Sequence, residues 1–342
     1  MNSAIRAFAL PVIISVAILA AIYAWGGLQA FFIASLLVIL EVTLSFDNAV
    51  VNAKILAHMD EKWQHRFLTW GIIVAVFGTR FVLPIIIVSA SVGASPILIA
   101  KLAALSPDEY GHLLEGARHA ISAFGGIFLL MVSLKYFFSV SKDTHWIRSI
   151  ERFVAGWGRI EAIEIGISLV VLIILALLMP AEAAKVLLAG IVGIVLFVVI
   201  QGIANSFTKD AEKSIGAGSA ALFVYLNILD AAFSLDGVVG AFALTNELLL
   251  IVVGLGIGAY FVRSLTVYLV RRKTLDALVY LEHGAHWAIL ALAMAMLASI
   301  FVEVPEVITG SVGLVFVGAA YYSSLRFVRK QKNLDRVAGR TF

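Results

Sequence analysis

The chain is 342 residues long, 62% hydrophobic and only 14% charged, with a formal net charge of +3 and a mean hydropathy of +1.02. A soluble domain is about half apolar and a quarter charged, so this composition excludes a water-soluble globular protein and describes a polytopic, all-α membrane protein. The absence of cysteine excludes disulfides, thiolate metal sites and cysteine nucleophiles; continuous apolar runs exclude a porin-type barrel; and basic residues that punctuate the runs without forming a stripe exclude a nucleic-acid footprint.

A transmembrane helix needs about 20 apolar residues, and on that rule the sequence predicts about ten spans. The first runs over Leu10–Leu28 and the second over Ala30–Ile55, followed by Phe67–Ser89, His112–Phe138 and Ala162–Met179. The remaining five are Ala184–Asn205, Ser219–Thr245, Leu248–Val270, Leu275–Val302 and Val307–Phe327. A shorter apolar stretch, Ile97–Leu105, reads as interfacial. Residues 1–28 have the outline of a signal peptide, with Arg6 ahead of an apolar core, but the run exceeds a usual h-region and is expected to be retained as a helix. With both termini on one side of the bilayer, nearly all of the 25 Lys and Arg fall on that side. Only Lys101 and Lys185 lie opposite, and Arg80, Arg118 and Arg263 lie within helices. The positive-inside rule then makes both termini cytoplasmic, in the inner membrane.

Acidic residues interrupt the apolar runs twice, and in register. Glu41-Val-Thr-Leu-Ser45-Phe-Asp47-Asn48 is echoed by Asp230-Ala-Ala-Phe-Ser234-Leu-Asp236-Gly237, with one common offset between the two copies. Gly71 and Arg80 recur as Gly254 and Arg263, preserving Gly-x8-Arg, and Glu115 and His119 recur as Glu282 and His286, preserving Glu-x3-His. The shared marks fall on the second, third and fourth helix of each half. Five helices per half make the second copy enter the membrane in the opposite sense, an inverted repeat of the kind secondary transporters use. The halves are residues 1–160 and 161–342, joined by the basic segment Ser139–Ile160.

Carboxylates within hydrocarbon are costly and mark function by default. On a helix Glu41, Ser45 and Asn48 share one face, whereas Asp47 lies roughly 240° round from Glu41; Asp230, Ser234 and Asp236 repeat that geometry. For both carboxylates of a copy to reach one site, the helix must unwind near Ser45–Asp47 and near Ser234–Asp236. The convergent set Glu41, Asp47, Asn48, Asp230 and Asp236, supported by Ser45 and Ser234, is rich in hard oxygen donors and suits Mg²⁺, Ca²⁺ or Mn²⁺. Without a cation, four such acids repel and some protonate. The alternative is that the acids form structural ion pairs with Arg80 and Arg263; an intermediate reading lets arginine replace the ion once it has left. Glu115/His119 and Glu282/His286 are i, i+4 pairs, spaced to hydrogen-bond within one helix, as relay, as further ligands or as plain satisfied polar groups. Gly254, Gly256 and Gly258 read as a close-packing face, and Trp25, Trp63, Trp70 and Tyr321 as interfacial anchors.

At Glu41–Val51, Asp230–Thr245, Gly254–Arg272 and Tyr280–Ile289 the chain resembles the TerC family of integral membrane proteins, most closely its bacterial branch of unknown function. That resemblance implies Mn²⁺ export or related divalent-cation homeostasis and a fold related to LysE-type exporters. It places Glu41, Asp47, Asn48, Asp230 and Asp236 on the metal, which is substrate; no organic cofactor is expected. Asp230 in place of Glu41 and Gly237 in place of Asn48 leave the second copy with a shorter arm and one side-chain oxygen fewer. Two other functions are carried beside cation export: a LysE-like exporter of an organic solute, and an intramembrane hydrolase with Asp47 and Asp236 as an aspartyl dyad. The lipid bilayer and the transported ion are the expected partners.

Overall fold

A computed structural model describes residues 3–139, 142, 144–209, 215–245, 247–271, 278–302 and 304–337. Among them there is no strand, as expected where every backbone group must be satisfied without water. Seven stretches are long and apolar enough to cross a membrane: Phe8–Leu44, Glu61–Ala90, Arg118–Phe137, Ala183–Gly202, Leu248–Arg271, Leu281–Ala298 and Ile308–Lys330. Large side chains exposed on the outside, such as Leu177, Leu188 and Val315, are apolar, as a lipid-facing surface requires.

The first helix, α1 (Ser3–Leu44), has two arms meeting at Gly27, whose φ of 69° only glycine adopts freely. Eight residues of straight helix span about 12 Å, yet the Tyr23 and Phe31 rings lie 6.3 Å apart across this point. The first arm brings Phe8 to within 5.8 Å of Tyr268, whereas the second packs Leu37 on Gly254 and Glu41 on Gly258. The arms therefore run in opposite directions along one partner, α12 (Leu248–Arg271). The reversal falls at the junction expected between the first two spans.

The second arm ends at Leu44, and α2 (Phe46–Leu56) begins after Ser45. The break is slight, because Ser45 N still donates to Glu41 O at 2.9 Å and Ala49 N to Ser45 O at 3.3 Å. The expected unwinding is thus confined to one residue here. It is absent from the second copy, where α11 (Ile215–Leu244) runs unbroken through Ser234 and Asp236. Next comes α3 (Glu61–Ile73), capped by Asp60, which accepts from Trp63 N at 2.9 Å. It passes into a π-helical stretch, Val74–Val82, and then into α4 (Leu83–Val92). The widened turns have visible causes: Thr79 Oγ1 and Arg80 Nη1 both donate to Ala75 O, and Pro84 has no N–H to offer.

The short interfacial stretch becomes α5 (Pro96–Leu105), and the span expected over His112–Phe138 divides at Ala117 into α6 (Pro107–Gly116) and α7 (Arg118–Phe137). Buried over 83% of its span, against 17% for Phe8–Leu44 and 28% for Ile308–Lys330, α7 is the axis of the bundle. After the amphipathic α8 (Arg148–Trp157) come α9 (Ile163–Leu178) and α10 (Ala183–Lys209), and beyond α12 lie α13 (Leu281–Ala298) and α14 (Glu306–Val337). Both α10 and α13 pack on α7. Glycine lets them approach: a Cβ on Gly126 would meet Leu297 Cδ2 at 2.7 Å, and one on Gly193 would meet Phe124 O at 2.8 Å.

Candidate functional site: two buried acid–arginine pairs

Glu41, on the last turn of α1, is 1% exposed. Its Oε1 accepts from Ser45 Oγ at 2.8 Å and is ion-paired to Arg80 Nη2. The π-helical stretch aims Arg80 at the acid, while the other end of the guanidinium donates to Ala75 O at 2.7 Å. The second copy repeats this: Arg263 Nη2, on α12, donates to Asp230 Oδ2, on α11, at 2.8 Å. Arg263 Nη1 crosses to Phe67 O at 3.2 Å, and the guanidinium stands 4.2 Å from the Phe67 ring centroid. Asn227, one turn before Asp230, contributes its Oδ1 at 3.5 Å from Arg263 Nη2.

Glycines make these crossings sterically accessible. A Cβ on Gly258 would lie 2.5 Å from Glu41 Cβ, and one on Gly71 would lie 2.5 Å from Arg263 Nη1. Gly237, standing where the first copy has Asn48, leaves a place for Glu41 Oε2, which is 3.3 Å from where its Cβ would be. Of the expected close-packing face, Gly254 and Gly258 meet α1, while Gly256 turns to Val76.

The expected ligands are therefore distributed as follows. Glu41 and Asp230 are each held by the arginine of their own copy, which is the ion-pair alternative. Ser45 supports Glu41, and Ser234 is buried one turn after Asp230. Asn48 is 1% exposed, and among the described residues its Oδ1 has no partner. The side chains of Asp47 and Asp236 lie outside the described residues. Among the described residues no three Asp, Glu or His side chains gather as a metal site. Asn52, one turn beyond Asn48, also has an orphaned, buried Oδ1. With Glu41, Ser45 and Asn48 it completes a buried polar stripe at i, i+4, i+7 and i+11. That stripe is readable from helical periodicity, although the acidic motif stops short of Asn52.

The Glu-x3-His pairs differ from expectation. Glu115 is exposed and reaches Arg118 at 3.4 Å, and the break at Ala117 puts His119 on a different helix. In the second copy Glu282 pairs with Lys54 at 2.9 Å, and His286 Nδ1 bonds the Glu282 carbonyl, also at 2.9 Å, with its ring stacked 3.6 Å from Tyr136. A cavity of about 700 Å³ opens beside these groups, lined by Val51, Lys54, Lys135, Tyr136, Tyr225 and His286. A second, of about 540 Å³, shares Lys54, Tyr136 and Glu282 with it.

Beside the second cavity lies a cluster that sequence reasoning missed. Glu151 of α8 is 1% exposed and accepts from His283 Nδ1 at 2.8 Å, Trp287 Nε1 at 3.0 Å, Trp146 N at 3.2 Å and Ile147 N. Burial pushes the Glu151 carboxyl up, but the bonds from His283 and Trp287 outweigh it and lower the pKa to about 2. Lys142, whose Nζ stands 3.1 Å from the Tyr136 ring centroid, is lowered by burial to about 8 against the opposing pull of Glu151 and Glu282. A single acid among Arg148, Arg152 and Arg159 was the available signal.

Over residues 46–331 the chain matches a family described as "Protein of unknown function (DUF475)". The match includes the second acidic copy and begins just after Glu41 and Ser45. No curated protein and no solved structure matches.

Proposed function

The chain belongs to the DUF475 family of proteins of unknown function, and from its two acid–arginine pairs we propose that it is a secondary transporter exporting a divalent cation in exchange for protons. Mn²⁺ is the leading substrate, ahead of Ca²⁺ or Mg²⁺. The observation that carries the reading is recurrence: Glu41 with Arg80 and Asp230 with Arg263 occupy matching places in the two acidic copies, both buried. A buried pair does little better for stability than packed apolar side chains, so stability alone gives little reason to build it twice. Arginine serves as counter-charge while the ion is away, and an arriving divalent ion takes over the carboxylates. Asp47, Asp236 and the orphaned Asn48 amide oxygen supply further ligands. The larger cavity reaches Val51, one turn beyond Asn48 on α2, and marks the side from which the ion approaches in this reading.

The topology that goes with this is ten spans in two inverted five-helix repeats, residues 1–160 and 161–342, with both termini cytoplasmic in the inner membrane. Dividing the first candidate span at Gly27 and adding the shorter apolar helices Ile163–Leu178 and Ser219–Ser234 brings the seven to that number. The resemblance to TerC proteins supports the same substrate class.

Flux of labelled Mn²⁺ into liposomes carrying the purified protein tests the proposal. Asp47→Asn and Asp236→Asn each abolish Mn²⁺ flux while leaving a folded, monodisperse protein. Wild-type flux in either variant refutes the site, and flux of amino acids instead of Mn²⁺ favours an organic-solute exporter.

A further inference from the structure

Helix α8 presents two faces to the outside. Ile150, Phe153 and Trp157, at i, i+3 and i+7, are 48%, 66% and 46% exposed and form one apolar arc, which Ile160 extends. Arg148 and Arg152 are exposed on the opposite side, and Arg159 is exposed just past the end of the helix. The helix is pinned to the bundle between these faces. Glu151 is sunk between His283 and Trp287 of α13, and Gly158 lies so close to the Phe138 carbonyl that a Cβ there would clash with it.

Its height in the bundle is fixed as well. Phe138 follows the last residue of α7, and α9 starts five residues after Gly158. The Lys135–Glu164 ion pair, 2.9 Å, ties the end of α7 to the start of α9. The helix therefore lies where two apolar helices leave the hydrocarbon, with an unpartnered aromatic arc at that level. An apolar face with Trp and Phe opposite an arginine face is the pattern of a helix lying in the plane of the interface.

We propose that α8 is an in-plane membrane helix that inserts Ile150, Phe153 and Trp157 into the leaflet at the ends of α7 and α9. Arg148 and Arg152, with Arg159 just past its end, make it favour anionic phospholipid, since basic groups within a Debye length of such a leaflet are attracted to it. Anchored through Glu151, it also joins the state of that leaflet to α13.

The natural absence of cysteine makes spin labelling of the full chain direct. Ile150→Cys, Phe153→Cys, Trp157→Cys and, as the polar-face control, Arg152→Cys are labelled and reconstituted into phosphatidylcholine vesicles with and without phosphatidylglycerol. Collision with oxygen and with a water-soluble nickel chelate reports depth. Labels at 150, 153 and 157 are expected to be oxygen-rich and chelate-poor, and the label at 152 the reverse. Anionic lipid deepens the label at 153, and the combined Arg148→Gln, Arg152→Gln, Arg159→Gln change removes that deepening. The proposal is overturned if the labels at 153 and 157 meet the chelate as freely as the one at 152. Labels shielded from both reagents, as under a partner protein or a second copy, overturn it too, as does a depth indifferent to anionic lipid. Because transport is not the readout, failure here leaves the cation reading untouched, and failure of Mn²⁺ flux leaves this one untouched.

Discussion

Replacing Arg80 with leucine leaves the Glu41 carboxylate inside the bundle with, among the described residues, only the Ser45 hydroxyl for compensation. The two side chains are 2% and 1% exposed, so water cannot substitute for the guanidinium. Breaking a pair this deeply buried by removing one partner costs about 3–5 kcal/mol. Removing both charges, as in Glu41→Gln with Arg80→Leu, costs far less, because no bare charge remains and both partners' desolvation penalties are relieved. Thermal unfolding in detergent is expected to show a large drop for Arg80→Leu, a large drop for Glu41→Gln, and recovery of most of the loss in the double variant. Mn²⁺ flux stays abolished in the double variant, which separates stability from transport. The reasoning fails if Arg80→Leu melts with the wild type, or if the double variant is as unstable as the sum of the single ones, since either result means that the two groups are not coupled.

Gly258→Ala places a Cβ 2.5 Å from Glu41 Cβ and 2.6 Å from its Cγ, forcing α1 off α12; a loss of about 1–3 kcal/mol is expected from overpacking. Gly256→Ala, whose nearest neighbours are the Val76 methyls at 3.4 Å, is the control and melts close to wild type. For Glu151, whose folded pKa of about 2 lies below its ordinary 4.5, the sign is that of a depressed carboxyl. Its stabilisation is complete above the unfolded value and is lost as pH falls from there toward about 2. Protection factors over residues 146–157, with the intrinsic pH dependence of amide exchange divided out, should fall across that window and stay constant in Glu151→Gln; wild-type protection factors that do not change down to pH 2 refute the assignment.

What the sequence disclosed was carried by periodicity and by repetition. Membrane class followed from composition, the chain reversal at Gly27 fell at the end of the first predicted span, and the recurrence of Glu41 and Arg80 as Asp230 and Arg263 marked the residues that pair. Which partner each acid takes was left open between ion and arginine, because helical spacing orders residues along one helix but says nothing about the face of the next. The same limit hid Glu151, which meets His283 and Trp287 more than a hundred residues on through packing alone. The unwinding expected at Ser234–Asp236 is missing for a different reason. Ser, Asp and Gly permit a break, but in an apolar bundle each lost intrahelical hydrogen bond must find another partner, and α11 keeps its own.

The two copies also divide the work of joining the protein together. In the first, the acid crosses: Glu41 reaches out from α1 onto Gly258 and Gly237, both in the second copy, while its arginine stays local and also bonds Ala75. In the second, the arginine crosses: Arg263 reaches Phe67 over Gly71, both in the first copy, while Asp230 stays beside Asn227. Glu41 makes its crossing with Cβ and Cγ at Gly258 and with Oε2 beside Gly237, whereas in the second copy the guanidinium of Arg263 makes it. Each ion pair is thereby closed within its own copy but wedged against the other. Any movement of one copy against the other must slide Glu41 past Gly258 or Arg263 past Gly71. On the proposed transport reading, a displacement that opens a path to the carboxylates also loosens the arginines that compensate them.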